Sequence, residues 1–207
     1  MLRDRVAFGL VIVAALAAGC ESGGGPTGPE GTPTGLSFTL QGGAGARQHQ
    51  SSGSATTDSR GIPTFGTWAV ARADSLGGLV IAGFQPVDGS SGDLFILQLS
   101  PRRTGDFACN EHGTEGCHGR TFLGVNPQAL TVSGGTYVVT GGSVSITEAS
   151  DSRVKGTMSL TLKNVRGPET LTITGGTIDV AYSASTTLSN GIACLARNLA
   201  TGQNGQC

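Results

Sequence analysis

Glycine sets the first limit on this fold. Thirty-five of the 207 residues are glycine, and the apolar positions between them are mainly Val, Ile and Leu. Inside a helix each glycine costs about 1 kcal/mol, and β-branched side chains lose rotamer freedom there. The chain is therefore expected to form many short strands joined by tight turns. Aromatic residues make up 5% and charged residues 13% of the chain, enough for one domain with a modest core. The formal net charge is -1. With no basic stripe and no interleaved aromatics, a nucleic-acid partner is excluded.

Period-two alternation begins at Leu36, Phe38 and Leu40, which would share one face. A polar stretch, Gly42–Gly61, follows and is read as a long mobile loop. Further strands are predicted at Thr67–Ala73, Leu79–Gln85, Leu94–Leu99, Arg120–Leu123, Leu130–Val132 and Tyr137–Thr140. The remainder are Val144–Glu148, Val154–Asn164, Glu169–Thr174 and Thr177–Ser183. The pair Val144–Glu148 and Val154–Asn164, joined by a turn at Ala149–Ser152, forms the clearest hairpin. Gly-Gly pairs precede strand-like runs near Ser133, Thr140 and Thr174 and are read as turns or bulges, where glycine accepts positive φ. The expected fold is all-β, an antiparallel sandwich of about ten short strands. A small closed barrel is the alternative, and no significant helix is expected after the leader.

The N-terminus carries a separate message. Arg3 and Arg5 precede the apolar run Val6–Ala18, which has signal-peptide length and is short for a bilayer span of roughly 20 residues. Ala17, Ala18 and Gly19 lead into Cys20. This segment resembles the bacterial lipobox, although Ala17 stands where Leu is preferred. The resemblance implies cleavage after residue 19 and lipid attachment at Cys20. An ordinary secretory signal or a spanning anchor are the other readings. Each buried CH₂ of a lipid contributes about 0.8 kcal/mol, so several acyl chains hold firmly where one does not. Residues Glu21–Gly35 are Gly- and Pro-rich and read as a tether with a span of about 20–23 Å. Residues 1–19 are thus a leader, 20–35 a lipidated tether and 36–207 a single β-domain. The partner implied is the lipid bilayer through acylated Cys20. The resemblance to lipoproteins also implies the outer membrane, since Glu21 stands where an Asp is linked to inner-membrane retention in some bacteria.

From Leu36 to Ser183 the chain resembles the uncharacterised lipid-anchored β-domains of Gram-negative bacteria. The segments carrying this are Gly142–Ile146, Arg153–Leu160 and Leu171–Gly176. The resemblance implies a fold and an address, with no activity attached.

Beyond Cys20 there are four cysteines, Cys109, Cys117, Cys194 and Cys207, an even number in an oxidising compartment. Of three pairings, Cys109–Cys117 with Cys194–Cys207 closes the shortest loops, each stabilising by roughly 2.5–3 kcal/mol. The competing reading makes Cys109, His112, Cys117 and His118 a zinc site, though their spacing matches no common zinc pattern.

Asp88–Asp93 reads as a polar turn rather than a Ca²⁺ loop, for want of alternating ligands. No nucleophile elbow is present, and the third histidine, His49, falls in the polar stretch. Of the acids on strands, Glu148, Glu169 and Asp179, the first and last are expected to face solvent, so no carboxylate pair suits glycoside hydrolysis. Trp68 is assigned to the core. No cofactor and no catalytic residue is expected. The sequence therefore points to a non-catalytic, lipid-anchored envelope module, structural or binding. A metal- or ligand-sensing lipoprotein using residues 109–118 and a cryptic hydrolase are the alternatives.

Overall fold

A computed structural model describes residues 31–43, 45–59, 61–74, 77–111 and 116–201. Residues 1–30, with Cys20 and most of the tether, lie outside the described residues, as do His112 and Cys207. Ten strands and one helix follow in the order β1 (Gly35–Gly42), β2 (Gly45–Ser51), β3 (Trp68–Ala73), β4 (Leu79–Pro86), β5 (Gly92–Ser100), β6 (Gly105–Ala108), β7 (Gly116–Asn126), β8 (Thr131–Ala149), β9 (Arg153–Asn164), β10 (Thr170–Ala181) and α1 (Thr186–Thr201). The strands pair antiparallel in one path, β2-β1-β10-β9-β8-β7-β5-β4-β3, with β6 attached to β8. The sheet curls into a half-barrel. Its two ends approach each other: Ala71 of β3 forms a parallel bridge with Tyr182, just past β10, and the Ser183 amide donates to the Ala71 carbonyl at 2.7 Å. The Gln50 amide of β2 donates to the Gln85 side chain of β4 at 2.7 Å.

Two apolar clusters explain which strands alternate and which do not. Leu36, Phe38, Leu40, Ile81, Phe95, Leu97, Leu160 and Ile178 belong to the cluster inside the curl. On β8, β9 and β10 the opposite face carries Ser, Thr and Lys, giving the alternation visible in sequence. The other face of β3, β4, β5 and β7 is also buried. Trp68, Phe84, Leu94 and Phe122 pack there against Leu188, Ile192, Leu195 and Leu199 of α1. Two covered faces account for the near-continuous apolar runs of β4 and β5.

The helix corrects the expectation that none follows the leader. Its apolar residues recur at spacings of four, three and four, one stripe of an α-helix. The Ser185 hydroxyl accepts from the Leu188 amide at 3.3 Å and caps the first turn. Burial of each large aliphatic side chain contributes about 1.5–3 kcal/mol, and that packing outweighs the cost of Gly191 mid-helix.

The polar stretch at 42–61 is also corrected, since seven of its residues form β2, paired with β1 from Leu36↔Ser51 to Gly42↔Gly45. The predicted Leu130–Val132, Tyr137–Thr140 and Val144–Glu148 segments belong to one long strand, β8, and the last two predicted strands are both part of β10. The Gly-Gly pairs are bulges within strands. At Thr140 and Gly141 the register with β9 slips by one residue. Gly142 takes φ 105°, and a Cβ there would run into the Ser159 carbonyl. The bulge near Gly175 displaces the register of β10 against both β9 and β1. The predicted hairpin stands as β8–β9, with Val144 opposite Met158.

Candidate binding cleft beside the disulfide loop

Cys109 and Cys117 are joined in a disulfide, one of the two pairings favoured by sequence. Both are buried in the inner cluster. With that bond formed, neither sulfur is a thiolate, the form that binds zinc. Cys194, on α1, is also disulfide-bonded, while Cys207 lies outside the described residues. Among the described residues no group of three metal-ligating side chains comes together.

Just past the disulfide, β7 turns its next residue outward. His118 stands opposite Gln98 of β5, and two residues on, Arg120 stands opposite both Ile96 of β5 and Val138 of β8. The row Ile96–Arg120–Val138 forms the floor of a cleft of about 700 Å³ between the sheet and the last turns of α1. The helix contributes Ala196, Arg197 and Ala200, whose small alanine side chains leave the space open. Asn110 and Glu111 of the disulfide loop close one side.

The polar groups of this cleft are unevenly satisfied. His118 Nδ1 lies 3.3 Å from the Asn110 carbonyl. A carbonyl only accepts, so Nδ1 carries the proton in that bond. Nε2 is buried and has no hydrogen-bond partner among the described residues. Arg120 and Arg197 are exposed on the rim, and neither forms an ion pair among the described residues. The cleft therefore offers an apolar floor and two guanidinium groups.

A second cavity, about 360 Å³, opens beside the β1–β2 hairpin and is lined by Arg47, Asp93, Tyr137 and Glu169 among others. Its polar groups are paired with one another. Arg47 lies 3.4 Å from Asp93, which also accepts from the Gly124 amide at 3.1 Å. The Tyr137 hydroxyl donates to Glu169. Burial pushes the Asp93 carboxyl up, against the opposing pull of Arg47 and the Gly124 amide. Tyr137 is pushed up by burial and by its bond to Glu169.

The chain matches no family model, no curated protein and no solved structure.

The other residues singled out by sequence fall into structural places. Asp88 caps the β4–β5 turn, accepting from the Ser91 amide at 2.6 Å and the Ser90 amide at 2.7 Å. The Ser91 hydroxyl and then these amides draw its carboxyl down to about 2. Asp179, expected to face solvent, instead pairs with Arg153 at 2.6 Å and is largely covered. Glu148 pairs with Lys155 at 2.9 Å. Trp68 is buried, stacked on Phe84 with ring centroids 6.1 Å apart. His49 is buried on β2 rather than carried on a loop. The cleft is not legible in the sequence because one of its walls belongs to the unforeseen helix. The usable signals were Ser185 and the apolar spacing that follows it.

Proposed function

We propose that this chain is a lipid-anchored cell-envelope protein whose β-domain binds a ligand without transforming it, in the cleft between α1 and the outer face of β5, β7 and β8. The lipobox-like run ending at Cys20 and the tether after it support the anchor. The observation that carries the reading is the Cys109–Cys117 disulfide on the border of that cleft. Disulfides persist chiefly in exported proteins, and this one braces the loop that supplies Asn110 and Glu111. The address that follows is the outer membrane. The second disulfide is assigned to Cys194–Cys207.

In finer detail, the curl is read as the antiparallel sandwich implied by the strand pattern. Phe38 of β1 meets Phe95 of β5 across the interior at 5.1 Å between ring centroids, which supports two facing layers. The Ala71–Tyr182 bridge between the path's ends favours the closed barrel instead.

Membrane fractionation tests the anchor. Wild-type protein is expected in the membrane fraction and resistant to high salt, because a neutral domain has no electrostatic hold to lose. The Cys20→Ser chain is expected to leave that fraction. Equal partitioning of the two overturns the reading.

A further inference from the structure

The cleft's charge and apolarity together specify what it takes. Its floor and helical wall, Ile96, Val138, Ala196 and Ala200, present apolar surface that water wets poorly. Its rim carries Arg120 and Arg197 against one described acid, Glu111. Pockets of this size, apolar with a few convergent polar groups, are the usual form of small-molecule sites. Arginine is suited to carboxylates, since its planar fork presents two parallel donors.

We infer that the cleft binds the carboxylate end of a single-chain fatty acid, its chain laid along the Ile96–Arg120–Val138 row under α1 and its head held by Arg120 and Arg197. This rests on the binding role proposed above and deepens it. Two observations converge on it. The two guanidinium groups have no ion-pair partner among the described residues. Arg120 lies directly between two apolar neighbours in the sheet, so its stem extends the apolar floor while its head stays charged. A cationic amphiphile would meet two like charges at the same rim.

The test is calorimetric titration of the full-length Cys20→Ser chain with decanoate, decyltrimethylammonium and decyl maltoside, each below its micellar concentration. Decanoate is expected to bind saturably at one site. The Arg120→Gln/Arg197→Gln double variant is expected to bind it at least about tenfold more weakly, the factor associated with one charged hydrogen bond. Ala200→Trp, which fills the cleft from the helix, is expected to abolish binding. Both Arg side chains are exposed, so circular dichroism of the double variant should match the parent. Equal binding of all three amphiphiles, or an unchanged affinity in the double variant, overturns the fatty-acid assignment while leaving the cleft a binding site. Silence from all three overturns the fatty-acid assignment alone, because the binding role proposed above does not require an amphiphile. Because this chain cannot be acylated at residue 20, neither result depends on the anchor.

Discussion

His49 lies face to face on Phe38, with ring centroids 4.5 Å apart and planes 5° from parallel. Its Nε2 is 3.1 Å from the Ser51 hydroxyl. This pairing ties the edge strand β2 to the interior of the curl: the one inward ring of a polar strand stacks on the core, and its nitrogen finds a hydroxyl that is itself buried.

Burial, then the charge on Arg47, holds the His49 imidazole down from its ordinary 6.5 to about 3. The folded chain keeps the ring neutral, while the unfolded chain takes up a proton below 6.5. Stability is therefore full above pH 6.5 and falls as pH drops toward 3, by up to about 1.4 kcal/mol per pH unit. Urea denaturation at pH 7 and pH 5 checks this. His49→Gln is expected to flatten the pH dependence in that window even if it lowers stability overall. An unchanged slope would assign the acid sensitivity elsewhere.

Asp179 organises the entry of the tether into the sheet. It receives Arg153 Nε at 2.6 Å and Nη2 at 2.8 Å, and the Thr34 amide at 3.2 Å. The Arg153 bond first, with Thr34 assisting against burial, draws its carboxyl to about 2. The folded pKa lies below the ordinary 3.8, so this contribution is present above that value and is lost as pH falls through about 2. Asp179→Asn is expected to cost about 1.5–3 kcal/mol at neutral pH, read from the midpoint of chemical denaturation. A loss under about 0.5 kcal/mol would show that the pair behaves as an exposed one.

The Cys109–Cys117 bond closes a sequence separation of 8. Loop-closure entropy gives it about 2.5 kcal/mol. The Cys109→Ser/Cys117→Ser protein is expected to unfold at correspondingly lower denaturant. Dithiothreitol should destabilise wild-type protein by no less than this.

Gly191 offers a test of the helix that propensity alone would get backwards. In an exposed helix Gly→Ala gains about 1 kcal/mol. A Cβ on Gly191, however, would overlap the Gly61 carbonyl oxygen, because α1 passes directly over the segment before Ile62. Gly191→Ala is therefore expected to destabilise by about 1–3 kcal/mol through overpacking. Leu195→Ala, from the same buried stripe, is expected to cost about 2–5 kcal/mol. A stabilising Gly191→Ala would mean that the helix sits farther from the Gly61–Ile62 segment.

These residues also show why parts of the fold were legible in sequence and others were not. The β8–β9 hairpin could be read because one of its faces is wet: Val144, Ile146, Met158 and Leu160 alternate with Ser and Thr. Strand β2 could not, because its inward ring is a histidine and the residues around it, Arg47, Gln48, Gln50 and Ser51, are polar. It exists by pairing with β1. The bulged strands β8 and β10 read as several, since glycine pairs mark a turn and an in-strand bulge alike. The helix was hidden by Gly191 and Asn190 at its centre, and its stripe, Leu188 to Leu199, was diluted by small and polar neighbours. The cleft depends on Ala196 and Ala200, residues too small to announce a site.

Intact mass spectrometry of protein extracted from membranes tests whether the chain carries the lipid proposed on Cys20. The expected species lacks residues 1–19 and has the mass of the Cys20–Cys207 polypeptide plus a diacylglyceryl group and an amide-linked acyl chain, less four hydrogens for two disulfides. A mass that retains Met1, or one that begins at Cys20 without acyl groups, would contradict it.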